Sequence, residues 1–158
     1  MGNNCAGIKN KKESLSNLVS TLNPGVIFLQ ESKLYTKGQI KIPNYFVFET
    51  NRAQKGGGGL ITAVHQEFKP SLIETEIDNS DILSVKCKIG NNNVRLINGY
   101  GPQEYDQNSQ KMEFFTAFET AIQSAYLNGD LICAELDANS KIGMENLISY
   151  PHHISVNG

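Results

Sequence analysis

One stretch of this sequence joins a strand-like apolar run to an abrupt polar end, and it restricts the possible folds more than any other. Residues 131–143 read Leu-Ile-Cys-Ala-Glu-Leu-Asp-Ala-Asn-Ser-Lys-Ile-Gly. The run has the length and composition of a buried strand, and Asp137 and Asn139 stand at its carboxyl end. Residues i and i+2 of an extended segment point to the same side. These two side chains are therefore predicted to lie together at a sheet edge, where they could hold a water, a metal ion or a phosphate oxygen.

Helix and strand patterns alternate along the first part of the chain. An amphipathic helix is predicted from apolar residues at helical spacing, namely Leu15, Leu18, Val19 and Leu22. Pro24 and Gly25 end this helix. Residues 26–29 then form a short, wholly apolar run typical of a central strand, and Glu31 follows its end. Residues 45–48 form a second apolar patch, and residues 60–64 are predicted to form another buried strand.

Strand patterns dominate the middle of the chain. Residues 71–77, 82–89 and 94–100 have strand-like composition, and the Gly-Asn-Asn-Asn sequence at 90–93 predicts a hairpin turn between the last two. A helix is predicted over residues 109–126, capped by Asn128 and Gly129. Its predicted apolar stripe consists of Met112, Phe115, Phe118, Ala121, Ile122 and Ala125.

Four consecutive glycines at 56–59 precede one of the predicted strands. They could cradle a phosphate or form a tight bend that enters the strand. Their spacing matches neither a Walker loop nor a dinucleotide fingerprint, both of which also need a following helix. The bend is therefore the favoured interpretation.

The composition is that of an ordinary globular protein. At 158 residues, with 39% hydrophobic and 19% charged residues, we expect one domain. The formal net charge of -2 means that a polyanion would have to be held by a local patch or by metal ions. No apolar stretch approaches the roughly 18 residues of a membrane helix, and the N-terminus does not resemble a signal peptide. We therefore expect no membrane partner and an intracellular location, nuclear or cytoplasmic. The cysteines, Cys5, Cys87 and Cys133, are predicted to be buried thiols.

Polar side chains follow several of the predicted strands, where layered α/β folds collect their site residues. They are Glu31, Tyr100, Asp137 and Asn139. A hard cation such as Mg2+ often takes only one or two protein carboxylates, with water and substrate phosphate completing its shell. Glu31 alone could be that carboxylate, which would leave Asp137 to act on a water.

Five short motifs resemble, in the same order, those of the endonuclease/exonuclease/phosphatase superfamily, whose fold is DNase I-like. Asn4 begins a segment similar to the family's Asn-x-x-Gly-Leu, and residues 29–33 resemble Leu-Gln-Glu-Thr-Lys, whose Glu binds the metal. Arg52 and the glycines at 57–59 resemble the Arg and Gly-Gly-Gly before the next strand. Residues 98–102 resemble Asn-x-Tyr-x-Pro, and residues 137–139 resemble the core of Gly-Asp-Phe-Asn.

The resemblance implies a fold class: α/β (α+β), a two-sheet β-sandwich flanked by helices, DNase I-like and incomplete. Residues 1–158 would be a single, partial domain of this kind. The family ends with an Asp-His pair after further strands, and no such segment is found before Gly158. His152 and His153 are too close to Asp137 to take that role.

The resemblance also implies roles for individual residues. Glu31, assisted by Asn4, would bind the cofactor, Mg2+ or Mn2+. Asp137 would activate or orient the attacking water, and Asn139 and Tyr100 would hydrogen-bond the phosphate.

Two further assignments rest on the same motifs. Arg52 would help to bind the substrate. A second register stays open, in which Glu135 takes the place of the family's Asp and Asp137 that of its Asn; the identical Asp-x-Asn match is preferred.

Two functional classes follow from the resemblance. Residues 137–143, with Pro151-His152 and Ser155-x-Asn157-Gly158 downstream, most resemble the DNA endonucleases of non-LTR retrotransposons. The first class is therefore a metal-dependent phosphodiesterase like those endonucleases, which nick target DNA for retrotransposition and are linked to a reverse transcriptase. DNA is then the expected partner, with phosphoinositide and sphingomyelin phosphodiesterases as variants on the same fold. The second is a catalytically inactive fragment that retains the fold or nucleic-acid binding, because the family's His would be missing. The oligomeric state is left open.

Overall fold

Two four-stranded sheets pack face to face, with one helix on the outer face of each sheet. The computed structural model describes residues 2–4, 8–34, 40–50, 58–72 and 80–139. Separate apolar clusters lie between helix and sheet on each side and between the two sheets. The predicted fold class, a two-sheet sandwich flanked by helices, is confirmed.

The first sheet contains β1 (Gly2–Asn4), β2 (Val26–Gln30), β3 (Tyr45–Thr50) and β4 (Leu60–His65). Their spatial order is β1-β2-β4-β3, with β1 parallel to β2 and β4 antiparallel to both of its neighbours. Helix α1 (Lys12–Leu22) covers the outer face of this sheet. The C-cap is Asn23, which has a left-handed backbone and whose N–H donates to the carbonyl of Val19. The predicted helix and the strands predicted at residues 26–29 and 60–64 are confirmed, and the apolar patch at 45–48 lies in β3.

The second sheet contains β5 (Ser71–Leu72), β6 (Ile82–Ile89), β7 (Asn92–Tyr100) and β8 (Leu131–Asp137), in that spatial order. β6 and β7 form the predicted hairpin, while β8 lies parallel to β7 after a crossover through α2 (Asn108–Leu127). Gln107 and Gln110 form a capping box at the start of α2, and Asn128 ends it. Of the strand predicted at 71–77, residues 73–77 lie outside the described residues.

Alternation along the strands distributes side chains among three apolar layers. On β2, Ile27 and Leu29 contact the α1 layer, whereas Phe28 between them belongs to the layer between the sheets. On β7, Leu96 lies between the sheets and Ile97 packs under α2. Adjacent residues of one strand therefore point into different layers. The position of a polar residue in β2 or β7 likewise decides whether its side chain faces a helix or the other sheet.

The face that α2 buries differs from the predicted stripe at its start. The buried residues are Phe114, Ala117, Ala121 and Ala125. Met112 and Phe115, which were predicted to be buried, are 68% and 45% exposed. Two phenylalanines are adjacent in the sequence, so helical spacing fits either of them, and packing against Ile97 selects Phe114.

The strand at 131–137 is present, but the prediction that it is buried is wrong. Among the described strands, β8 lies at the edge of its sheet and pairs with β7 alone. Leu131 is 56% and Ile132 38% exposed, and Cys133 is also exposed, whereas Cys87 is buried as predicted. Cys5 lies outside the described residues. Apolar composition predicts a strand but does not determine its place within a sheet.

A buried ion-pair network anchors the connection from α2 to β8. The Asp130 carboxylate lies 2.8 Å from Nη2 of Arg95 on β7 and 2.9 Å from Nζ of Lys86 on β6. The side chain of Asp130 is fully buried, and that of Arg95 is 6% exposed. The network thus joins Asp130, the residue before β8, to β7 and to the next strand of the sheet, β6.

Neither helix in the described part of the chain combines the length and apolarity that crossing a bilayer requires.

Candidate active site at the carboxyl ends of the strands

Polar side chains from both sheets meet at one edge of the sandwich. The parallel pairing of β7 and β8 sets Tyr100 directly beside Asp137. Glu31 follows the last residue of β2, and the Tyr100 hydroxyl donates a hydrogen bond of 2.7 Å to its Oε1. Glu31, Tyr100 and Asp137 were predicted to lie together, and they do so at the ends of three different strands.

The Tyr100 hydroxyl is suited to donate a hydrogen bond and unsuited to act as a base. Its side chain belongs to the layer between the sheets, and the residue is only 4% exposed. Burial raises the pKa of Tyr100, and the hydrogen bond to Glu31 and the charge of that carboxylate raise it further. The phenol therefore stays protonated at neutral pH, and its proton is available to a negatively charged oxygen.

Glu31 has an uncommon backbone conformation. Its φ of 55° lies in the left-handed region, which costs a residue other than Gly on the order of 1–3 kcal/mol. Its side chain is 20% exposed, and the Nζ of Lys33 lies 3.8 Å from Oε2. Such strain persists only where the surroundings hold the backbone in place, and it is concentrated at functional sites.

The glycine segment supplies that support. The N–H groups of Ser32 and Lys33 donate to the carbonyls of Gly59 and Gly58, at 3.1 and 2.9 Å. Gly59 has a φ of 83°, and a Cβ there would lie 2.6 Å from the Ser32 hydroxyl. The described part of the glycine run is thus a tight bend that holds the segment after Glu31, in agreement with the favoured interpretation. Residues 56 and 57 lie outside the described residues.

Gly59→Ala is expected to destabilise the protein more than Gly90→Ala. Both residues have positive φ, which costs an alanine roughly 1–2 kcal/mol, but a Cβ at Gly90 would meet nothing within 4 Å. The overlap at Gly59 should add about 1–3 kcal/mol. Urea unfolding of the two variants measures the difference, and equal losses would contradict the close packing against Ser32.

Asp137 and Asn139 are close together, but not because both are in an extended strand. β8 ends at Asp137, and Asn139 has a left-handed φ of 48°. The backbone N–H of Asn139 donates to Asp137 Oδ1 at 3.2 Å, and its side-chain amide donates to the Gly101 carbonyl at 2.8 Å. The expectation that an extended strand places them together was therefore wrong, because a turn closed by the Asp137 carboxylate brings the two residues together.

Gln103 belongs to the site although the sequence did not single it out. Its Nε2 donates to the Tyr100 hydroxyl oxygen at 2.8 Å, and its backbone N–H donates to Oδ2 of Asp106 at 2.7 Å. The hydroxyl oxygen thus accepts from Gln103 while its proton points to Glu31. The one available signal was a polar residue three positions after Tyr100 in a loop at a strand end.

The remaining predicted residues are only partly described. β1 pairs with β2 so that Asn4 stands beside Gln30, one residue before Glu31. This places the Asn4 backbone at the same edge, while its side chain and the whole of Arg52 lie outside the described residues. Glu135, the alternative acid, stands opposite Asn98, two residues back from the strand end.

Oxygen atoms make up the donor set at this edge. Within the described ranges no three His, Cys, Asp or Glu side chains cluster as a metal site. Mg2+ and Mn2+ prefer oxygen ligands, and Mg2+ often needs only one or two carboxylates. The Glu31 carboxylate, whose side chain is 20% exposed, fits as the carboxylate ligand of such an ion.

A cavity of about 160 Å³ adjoins the edge and is lined in part by Pro102, Phe115 and Asn139. It leaves room for a substrate group beside Asn139. A larger cavity of about 420 Å³ lies between α1 and residues 40–45 and contains none of the site residues.

Solved structures share this arrangement of sheets and helices. An AP endonuclease from Archaeoglobus fulgidus is similar with a TM-score of 0.65 and 18% sequence identity, over 87% of this chain and 56% of that one. The fold is DNase I-like. The 3'-5' exonuclease NExo from Neisseria meningitidis is similar with a TM-score of 0.64, 18% identity and the same coverage, 87% and 56%. TDP2 from Caenorhabditis elegans has a TM-score of 0.61 and 17% identity, over 84% of this chain and 42% of its own.

The described DNase I-like fold corresponds to about half of each of these proteins, between 42% and 56% of their length. At 17% to 18% identity the similarity concerns the fold. No protein-family model matches the sequence, and no curated protein does.

Proposed function

We propose that this chain is a metal-dependent phosphodiesterase that acts on DNA at the edge formed by Glu31, Tyr100 and Asp137. The observation that carries the proposal is the 2.7 Å hydrogen bond from Tyr100 to Glu31, which joins the two sheets directly beside Asp137. A neutral donor and two carboxylates then converge where a phosphate can approach. That combination suits hydrolysis of a phosphodiester, in which negative charge on the phosphoryl oxygens must be stabilised while a water attacks.

Glu31 would hold Mg2+ or Mn2+, with Asn4 as a second oxygen ligand from the neighbouring strand. When bound, such an ion supplies Lewis-acid stabilisation of charge on the phosphoryl oxygens. Asp137 would accept a proton from the attacking water or orient it.

The remaining side chains would position the phosphate. Tyr100 would donate a hydrogen bond to a non-bridging oxygen in exchange for its bond to Glu31, because burial keeps its hydroxyl protonated. Asn139 would bind the phosphate through its amide after exchanging its bond to the Gly101 carbonyl. Arg52 is proposed to contribute a positive charge to substrate binding.

DNA is the proposed substrate class for two reasons. The similar structures include AP endonucleases and a NExo variant bound to a product DNA hairpin. The motif at 137–143 also resembles retrotransposon endonucleases, so the narrower proposal is a nick in target DNA for retrotransposition. Residues 140–158, which carry part of that resemblance, lie outside the described residues.

Cleavage of supercoiled plasmid in Mg2+ tests the proposal, with EDTA as the control for metal dependence. Tyr100→Phe is expected to lower the rate about 10²- to 10³-fold, the effect of losing one donor to a developing oxyanion. A gel-shift measurement on the same DNA gives binding separately. Binding without cleavage by the wild-type chain would favour the alternative, an inactive fragment that retains nucleic-acid binding.

A further inference from the structure

A polar side chain lies fully buried in the apolar layer between the two sheets. Asn98 on β7 is 0% exposed, and Gln30 on β2 is 2% exposed. The Nε2 of Gln30 donates to Oδ1 of Asn98 at 2.9 Å. Burying two amides among apolar residues is costly unless their hydrogen bonds are made, and here the bond connects one sheet to the other.

The Asn98 amide contacts a third strand as well. Its Nδ2 donates to the carbonyl of Ile61 on β4 at 3.0 Å. Longer contacts of 3.4 Å reach the Leu29 carbonyl and the Thr62 hydroxyl. One side chain of the second sheet is thus held by both central strands of the first sheet.

This connection lies immediately behind the candidate site. Gln30 directly precedes Glu31, and Asn98 is two residues before Tyr100, so that Asn98 and Tyr100 share the face of β7 that looks at the first sheet. Apolar packing is non-directional and constrains sliding between sheets weakly. Hydrogen bonds weaken steeply as their length and angle change. The Gln30–Asn98 pair therefore restricts the relative position of the two strand ends.

We propose that Gln30 and Asn98 are positioning residues, which set the register between the sheets and so hold the Glu31 carboxylate against the Tyr100 hydroxyl. This deepens the proposed function and, for its activity readout, rests on it. A displacement of about 1 Å at a reacting group can lower a rate about 100-fold. The same displacement would break the 2.7 Å contact between Tyr100 and Glu31.

The first test compares Asn98→Leu with Val85→Ala, a core variant in the same inter-sheet layer that leaves the amide pair intact. Both variants are assayed under conditions in which urea titration shows that they are folded. Asn98→Leu is expected to lower kcat about 100-fold with little change in DNA affinity, and Val85→Ala to change kcat less than about threefold. Equal losses of kcat in the two variants would overturn the proposal.

The double variant Gln30→Leu/Asn98→Leu separates positioning from stability. Replacing both partners by apolar side chains removes the unpaired buried amide that the single variant leaves. Thermal and urea stability should therefore rise above that of Asn98→Leu, while kcat stays low. Recovery of kcat together with stability would show that the pair only stabilises the fold.

A double-mutant cycle measures the positioning without any cleavage assay. Tyr100→Phe and Glu31→Ala, each of which removes the hydrogen bond, are combined in the wild-type background and again with Asn98→Leu, or with Gln30→Leu if Asn98→Leu does not fold. The coupling in unfolding free energy between Tyr100 and Glu31 is expected in the wild-type background and should vanish without the amide pair. Unchanged coupling, or none in the wild type, would overturn the inference. Loss of coupling in a chain that cleaves no DNA would retain the inference and refute only the proposed function.

Discussion

Glu31→Gln is expected to lower the rate of Mg2+-dependent DNA cleavage at least 100-fold. The substitution keeps the size of the side chain but removes the charge that would hold the metal ion beside the phosphate. Lewis-acid stabilisation contributes several kcal/mol, and a 100-fold loss corresponds to about 2.7 kcal/mol. The concentration of Mg2+ needed for half-maximal rate should rise as well, because the main carboxylate ligand is neutralised.

The measurement is a Mg2+ titration of plasmid nicking by wild type and variant. Glu119→Gln is the matched control, since Glu119 is exposed on α2 and its one described contact is a side-chain bond from Gln123. The control should match the wild type in both rate and metal requirement. An unchanged metal requirement in Glu31→Gln would show that Glu31 is not a metal ligand.

Asp130→Ala is expected to lower the free energy of unfolding by about 3–5 kcal/mol, the usual result of removing one partner of a buried ion pair. The cost arises because Arg95 keeps its charge with only 6% of its side chain exposed. Lys86 is 31% exposed and can turn to water, so it adds little. Urea unfolding at pH 7 measures the loss, with Glu113→Ala on the exposed face of α2 as a control expected to cost less than about 0.5 kcal/mol.

The same pair makes the stability difference dependent on pH. Burial alone would raise the pKa of Asp130, but the hydrogen bonds and charges of Lys86 and Arg95 lower it below its usual 3.8. The native pKa is then lower than the unfolded one, so the ionised carboxylate contributes its full stability above about pH 4 and loses it as the pH falls through the native value. The difference in unfolding free energy between wild type and Asp130→Ala should therefore become smaller in acid. An equal gap at pH 7 and pH 3 would contradict a depressed pKa.

Local patterns were sufficient to predict most elements of the DNase I-like fold. The apolar run before Glu31 and the strand patterns before Tyr100 and Asp137 each end in polar residues, and all three strands are present with those ends. Parallel neighbours such as β7 and β8 bring such ends to one edge. The closeness of these side chains is therefore readable from strand prediction and motif order.

Properties that depend on packing between elements could not be predicted from the sequence. The face of α2 was misassigned because adjacent phenylalanines satisfy the same spacing, and β8 was expected to be buried because composition does not specify sheet order. The contacts of Gln103 and of the Gln30–Asn98 pair were not predicted for a related reason. Their partners are decided by the loop after β7 and by the relative position of two sheets, which residues 68 positions apart in sequence do not reveal.

We propose that DNA is hydrolysed at the edge where both sheets end, with Asp137 acting on the attacking water. Single-turnover nicking by wild type and Asp137→Asn, in Mg2+ and at saturating DNA, tests this most directly. Loss of a general base should lower the rate about 10²- to 10⁴-fold, with DNA affinity and unfolding free energy close to those of the wild type. Equal nicking rates in the two proteins would contradict the assignment of Asp137 and with it the proposed site.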